Sequence, residues 1–171
     1  MNRSLRSALP WVFALVLALS RWPGLLPPNF SAAYALSFCA GVFFPGRKAW
    51  WLPLGTFALT DLALNCYYQF GAGYSVFTPG ALVYLAGNYL GHVGLIALGR
   101  GFRPTSRFLG LLAGGLLGAV LFYLVTNTGA WLQNPEYSKG FLGWIQALTI
   151  GTSGWPQTWE FFRNTLLSGG L

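Results

Sequence analysis

The chain has 171 residues, of which 54% are hydrophobic and only 8% are charged. A soluble surface normally carries about 25% charged residues, so this composition excludes an ordinary soluble protein and predicts one domain that faces lipid. The net charge of +7 would suggest a nucleic-acid ligand in a soluble protein. Here the basic residues follow a membrane pattern, so we expect a lipid-bilayer environment and no nucleic-acid partner.

The apolar runs, taken in chain order, predict an all-α integral membrane protein with about six transmembrane helices, since roughly 20 apolar residues cross a bilayer as a helix. A further apolar run at 140–150 is too short to cross, and we expect an outer interfacial or re-entrant helix there. The predicted spans are residues 7–21, 30–44, 49–67, 80–99, 107–126 and 157–171.

Basic residues set the predicted orientation. Seven of the ten lie before the first span, between spans 2 and 3, or between spans 4 and 5. Because cytoplasmic loops are enriched in Lys and Arg, we expect a multi-pass protein of the bacterial cytoplasmic (inner) membrane with its N-terminus in the cytoplasm. The seven residues are Arg3, Arg6, Arg47, Lys48, Arg100, Arg103 and Arg107.

The first apolar run also fits a secretory signal peptide, since Arg3 and Arg6 precede it and Ala18-Leu19-Ser20 forms a small-x-small site. The remaining spans would keep the protein in the membrane if this run were removed. Both interpretations of the first span are open.

Polar residues within the spans are the candidate functional groups, because such groups are costly in hydrocarbon and usually face the bundle interior. Asp61, Asn65 and Tyr68 are spaced i, i+4, i+7 and share one helix face. Asp61 is the strongest candidate, since it is an acid placed within a span. Its structural alternative is a partner for His92 or for a helix N-terminus.

Two further polar groups complete the predicted pocket. Tyr84, Asn88 and His92 recur every four residues in span 4, and Asn127 and Trp131 belong to an outer connection predicted after span 5. The three groups together predict a polar cavity that opens outward. The alternative is that they form interhelical hydrogen bonds, and for His92 we favour such a satisfied core position.

Small residues at a spacing of four predict close helix packing, either within the chain or against another protein. Catalytic signatures are absent from the sequence: we find no Ser-His-acid arrangement, paired-carboxylate motif or zinc-protease motif, and we expect no enzyme activity. The small-residue series are Gly110, Gly114 and Gly118; Gly87 and Gly91; and Ala14 and Ala18.

Four segments resemble a family of small bacterial membrane proteins that is similar to the substrate-binding (S) components of energy-coupling factor (ECF) vitamin transporters. The resemblance covers nearly the whole chain in order. The segments are Leu26-Pro27-Pro28-Asn29-Phe30-Ser31, Leu59-Thr60-Asp61-Leu62, Val125-Thr126-Asn127-Thr128-Gly129-Ala130-Trp131-Leu132 and Phe161-Phe162-Arg163-Asn164-Thr165-Leu166.

The resemblance implies an ECF S-component-like bundle of six helices around an outward-facing pocket, with a vitamin or related micronutrient as ligand and no chemistry performed on it. It implies no cofactor, and it implies an ECF coupling subunit and ATPases as partners. Ala14 and Ala18 stand where such a coupling subunit contacts the first helix. The predicted substrate-binding residues are Asn29, Asp61, Asn65, Cys66, Tyr68, Tyr84, Asn88, His92, Asn127 and Trp131.

The sequence leaves several ligands possible. If it is cobalamin, the leading guess, Cys66 at the outer mouth would bind its cobalt, although thiol ligation needs the deprotonated form. Thiamin, riboflavin or another flat heterocycle suits the aromatics Tyr67, Tyr68, Tyr74 and Trp131 equally well. Two other classes compete with transport: a structural or assembly membrane protein that packs through small-residue faces, and an intramembrane enzyme dependent on Asp61 or His92.

Overall fold

A computed structural model describes residues 3–27 and 30–170, with side chains from Ala8 onward. The described residues form seven α-helices and no strand, which confirms the predicted all-helical class. After the third helix the chain continues in a π-helical turn, Tyr67–Gly71. The helices are α1 Arg3–Ser20, α2 Ala33–Phe43, α3 Lys48–Cys66, α4 Pro79–Arg100, α5 Phe108–Gln133, α6 Phe141–Leu148 and α7 Thr158–Gly169.

Of the described helices, α4 and α5 are long and apolar enough to cross a membrane. With 22 and 26 residues they reach about 33 and 39 Å, compared with a hydrocarbon core of about 30 Å. Helices α2 and α7 have 11 and 12 residues and reach only about 17 and 18 Å. The predicted six-span arrangement and the ECF-like bundle therefore stay predictions.

Helix α5 corrects one boundary. The sequence predicts that span 5 ends at Thr126, but the helix continues to Gln133, because its polar side chains bond to their own helix. Thr126 Oγ1 donates to the Phe122 carbonyl at 3.0 Å, and Asn127 Nδ2 donates to the Tyr123 carbonyl at 2.9 Å. The helix stops before Pro135, which disfavours helical geometry in the residue ahead of it. The predicted outer connection over 126–131 is wrong.

Contacts between helices define two ends of the bundle. Ser20 and Ser31 share a hydrogen bond of 3.2 Å, and Phe13 packs edge-on against Phe44 with ring centroids 5.1 Å apart, so α1 and α2 are antiparallel. Helices α2 and α4 are parallel, since Gly41 lies beside the end of α4. The basic end, as we call it, holds Arg47, Lys48, Arg100, Arg103 and Arg107 in or beside the connections before α3 and α5.

Glycines bring the helices together near the basic end. A Cβ atom on Gly41 would collide with the Ile96 carbonyl oxygen, and one on Gly99 with the Phe38 carbonyl oxygen. The backbones of α2 and α4 are therefore in direct contact, and the absence of a side chain at Gly41 and Gly99 permits it.

The predicted small-residue series are used partly inside the chain. Gly91 faces Phe122, Gly114 faces Phe38 and Phe102, and Gly118 faces Leu95, whereas Gly87 and Gly110 face open space. Ala14 also points inward and packs against a core cluster that includes Phe13 and Leu17 of α1. This packing joins α1 to α2 and α3.

Candidate functional site

A cavity of about 730 Å³ lies at the end of the bundle opposite the basic end. Its wall comes from the end of α1, the start of α2, the second half of α3 and the first half of α4. These parts meet at one end of the bundle because successive helices run in alternating directions. The segments 22–27 and 75–77 border it. We call this region the cavity end. Five predicted binding residues line the cavity: Asp61, Asn65, Tyr84, Asn88 and His92.

An ion pair between Arg21 and Asp61 stands in the wall of the cavity. Arg21 is the first residue after α1, and its guanidinium also donates to Thr60 Oγ1 at 2.7 Å and to the Phe57 carbonyl at 3.4 Å. The same guanidinium lies 4.8 Å from the centroid of the Phe57 ring. The side chains of Arg21 and Asp61 keep 21% and 13% of their surface exposed, so the pair is mostly shielded but still reached from the cavity.

Helix α4 presents one polar face to the cavity. Tyr84, Asn88 and His92 are four residues apart, and all three line the wall as their spacing predicts. Asn88 Nδ2 donates to the Tyr84 carbonyl one turn earlier at 3.2 Å. This bond uses one donor and leaves the side-chain oxygen of Asn88 directed to other partners.

His92 is the buried polar group at the floor of the cavity, with 6% of its surface exposed. Its Nδ1 shares a hydrogen bond of 3.0 Å with Ser37 Oγ of α2. Its ring lies 4.0 Å from Phe57 and 4.9 Å from Phe122 between centroids. The sequence offered His92 as an alternative partner for Asp61. In the structure Asp61 instead pairs with Arg21, and His92 pairs with Ser37.

Four predicted binding residues lie outside the cavity wall. Cys66 is a free, half-buried thiol one position after Asn65, and a step of one residue turns a side chain about 100° around a helix, away from the wall. Tyr68 packs edge-to-face against Tyr67 and Tyr74, with ring centroids 5.5 and 6.3 Å away. The predicted i+7 register fails for Tyr68 because the π-helical turn replaces the α-helical spacing there.

The other two residues outside the wall belong to the end of α5. Asn127 donates to a carbonyl of its own helix, whereas Trp131 Nε1 donates to the Ser138 carbonyl of the α5–α6 connection at 2.8 Å. Beside them, Trp144 Nε1 of α6 donates to Thr128 Oγ1 at 2.9 Å. This predicted third group therefore holds α6 against α5. The remaining predicted residue, Asn29, lies outside the described residues.

The model of one protein family matches residues 1–171. The chain belongs to DUF6580, a family of unknown function. No curated protein and no solved structure matches it. A function for this DUF6580 chain is therefore inferred from its fold and from the geometry of its cavity.

Sequence reasoning missed Arg21 as a site residue. The signal was present: an acid inside a span needs a counter-charge, and Arg21 is a basic residue at the predicted outer end of span 1, apart from the seven basic residues predicted to lie in the cytoplasm. Sequence reasoning also missed the aromatic groups Tyr34, Tyr89 and Phe122 of the wall, which read as ordinary apolar span residues.

The cavity is suited to binding a small organic molecule. Its volume lies within the roughly 300–1,000 Å³ typical of ligand pockets, and apolar walls with a few polar groups are their usual composition. Within the described residues, no group of three or more His, Cys, Asp or Glu side chains is arranged to hold a metal ion. The described wall offers hydrogen-bonding groups, aromatic rings and one ion pair.

Proposed function

We propose that this chain is the substrate-binding membrane component of an uptake system for a vitamin or related micronutrient. It crosses the bacterial cytoplasmic membrane several times and binds its ligand in the outward-facing cavity without performing chemistry on it. A membrane coupling subunit with ATPases energises uptake in this proposal. The observation that carries it is the convergence of costly polar side chains from α3 and α4 on one cavity of about 730 Å³.

The membrane location is supported by the surfaces of the two longest helices. Only 22% of the most apolar window of α4 and 33% of that of α5 is buried within the protein. The core helix of a soluble protein would be mostly buried. Large apolar side chains such as Leu90 and Leu109 are 65% and 75% exposed, and lipid is the environment in which this exposure is stable.

The orientation rests on the separation of charge and cavity. The basic end belongs in the cytoplasm by the positive-inside rule, so the cavity end faces outward. The alternation of helix directions gives α1 a cytoplasmic N-terminus, and α7 runs back toward the basic end, since Gly169 lies against Gly115 and Phe162 against Tyr123.

The size of the cavity limits the range of possible ligands. A volume of about 730 Å³ suits a molecule of the size of thiamin or riboflavin. Cobalamin is much larger, and Cys66, its expected cobalt ligand, is absent from the described wall. We therefore favour a flat heterocycle over cobalamin.

The two competing classes have less support. Assembly through small-residue faces would need those faces free; Gly87 and Gly110 face open space, but Gly91, Gly114 and Gly118 pack against side chains of this chain. An enzyme would need a reactive group that a substrate can reach, but His92 and its partner Ser37 are buried and Asp61 is paired with Arg21.

The test is the mass and absorption spectrum of the full chain isolated in mild detergent, compared with two leucine variants of α4. Asn88→Leu removes a polar group from the wall and fills part of the cavity. Ala86→Leu adds the same side chain at an exposed position outside the wall. We expect a co-isolated small molecule in the wild type and in Ala86→Leu, and its loss in Asn88→Leu. Equal retention by all three proteins, or a ligand in none of them, contradicts the proposal.

The topology has its own test. Cys39 and Cys66 are first replaced by serine, and a single cysteine is then introduced at Ser75 beside the cavity or at Thr105 at the basic end. A membrane-impermeant maleimide added to intact cells should label Ser75→Cys and spare Thr105→Cys. The reverse pattern would place the cavity in the cytoplasm and contradict an uptake role.

A further inference from the structure

We infer that the cavity takes a ligand with no net charge, which packs on its aromatic floor and hydrogen-bonds to its wall. This inference rests on the proposed function and deepens it by naming the class of ligand. Its starting observation is that the described cavity wall has two charged side chains, Arg21 and Asp61, and that these are paired with each other.

The charge balance of the wall excludes an ionic ligand. Arg21 and Asp61 sum to zero, and the hydrogen bonds of the guanidinium to Thr60 and Phe57 fix it against α3. An anionic ligand would need Arg21 and would have to displace Asp61 from it, leaving a carboxylate without its partner in a shielded site. A cationic ligand would strand Arg21 in the same way. An ion that left the pair intact would enter the site without a counter-charge, which is unfavourable in a largely apolar cavity.

The floor of the cavity is aromatic. Tyr34 packs edge-on to Phe122 with centroids 4.8 Å apart, and His92 lies between Phe57 and Phe122. These rings all line the cavity, and each keeps 8% or less of its surface exposed because the rings pack on one another. The floor is therefore an aromatic surface that suits the apolar part of a neutral ligand.

The polar groups around this floor can both donate and accept. Asp61 pairs with Arg21 and also hydrogen-bonds with the Tyr89 hydroxyl. Asn88 uses an amide N–H for its own helix, and its oxygen can accept from a ligand. Within the described part of the chain no hydrogen bond is recorded for the side chain of Asn65, which can both donate and accept. A neutral ligand that carries N–H, O–H or carbonyl groups therefore complements the wall.

The experiment compares pairs of molecules that share a ring and differ in charge. Nicotinamide is paired with nicotinate, and riboflavin with flavin mononucleotide, each titrated into the detergent-solubilised full chain by calorimetry. We expect the neutral member of any pair that binds to bind at least about tenfold more tightly than its charged counterpart. The net charge of any molecule released from the isolated protein is measured by mass spectrometry, and we expect it to be zero at neutral pH.

Variants of the ion pair sharpen the comparison. Asp61→Asn leaves Arg21 without its partner and should shift the preference toward nicotinate or flavin mononucleotide by about tenfold or more. The double variant Arg21→Gln with Asp61→Asn removes both charges and should restore the preference for the neutral member. It also serves as the second variant if Asp61→Asn alone fails to fold.

The two proposals fail differently. A charged member that binds as tightly as its neutral partner in the wild type, or a released ligand that is charged, overturns the ligand class and leaves the uptake role standing. Failure of every pair to bind, together with no co-isolated molecule, overturns the uptake role and this inference with it.

Discussion

At the basic end, helices α2 and α4 meet backbone to backbone at Gly41 and Gly99, whereas at the cavity end the first turn of α2 and the first half of α4 form part of the wall of a cavity of about 730 Å³. The first contact leaves no room for a methyl group. The second region holds polar side chains, among them one ion pair and the hydrogen bond between Ser37 and His92. Close-packed interiors resist deformation. Tight packing at the basic end therefore fixes the positions of the helices whose other ends surround the cavity.

The largest expected effect comes from filling the tight end. Gly99→Leu should lower the free energy of unfolding by about 3 kcal/mol or more, because the new side chain meets the backbone of α2, which has no space to yield. The measurement is thermal unfolding of the detergent-solubilised chain followed by circular dichroism.

Gly87→Leu is the matched control on the same helix, because Gly87 faces open space. We expect it to change the free energy of unfolding by no more than about 0.5 kcal/mol. Equal destabilisation by the two variants would mean that α2 and α4 are not in backbone contact.

The second largest expected effect comes from breaking the ion pair at the cavity end. Asp61→Asn should lower the free energy of unfolding by about 1–3 kcal/mol, because a mostly shielded guanidinium loses its charged partner. Chemical unfolding in detergent measures the loss. The double variant Arg21→Gln with Asp61→Asn should recover part of it, and purely additive losses would show that the two side chains do not interact.

A third comparison separates two asparagines that the sequence places in one pocket. Asn88→Ala should weaken ligand binding about tenfold, or about 1.4 kcal/mol, because Asn88 lines the cavity. Asn127→Ala should leave binding unchanged, since Asn127 lies outside the described cavity wall. Titration calorimetry with the co-isolated ligand measures both. Weakened binding in Asn127→Ala alone would move the site to the α5–α6 connection.

The smallest expected effect concerns the thiol. Cys66→Ala should change ligand affinity by less than about twofold, a difference too small to reflect a lost direct contact, because Cys66 is outside the described wall. Ligand titration of the single variant checks this. A loss of binding would instead restore Cys66 as a candidate ligand for cobalt.

Part of the site could be predicted because its signal is local. Tyr84, Asn88 and His92 stand out as a polar series in an apolar span, and helical geometry alone places them on one face. Asp61 stands out for the same reason, since an acid in a span is costly. In each case the residue spacing, together with the cost of placing a polar side chain in hydrocarbon, was sufficient to predict that the residue lies on the wall.

The rest depended on partners that spacing does not reveal. Arg21 and Asp61 are forty residues apart, so their pairing follows from how α1 packs on α3. Asn127 and Asn88 are both asparagines of apolar helices, and each amide bonds to a carbonyl of its own helix, but Asn88 lies in the described cavity wall and Asn127 does not. A π-helical turn moved Tyr68 off the predicted face, and local propensity gives no sign of that turn.

The sequence by itself determined the all-helical class, the apolar α4 and α5, the basic end and the polar face of α4, because each follows from composition or from periodicity along one helix. Only the tertiary structure decided which polar groups meet, where the cavity lies, and that Gly41 and Gly99 bring two backbones into contact. These outcomes depend on the relative positions of different helices, and those positions arise from packing between residues that are distant in the chain.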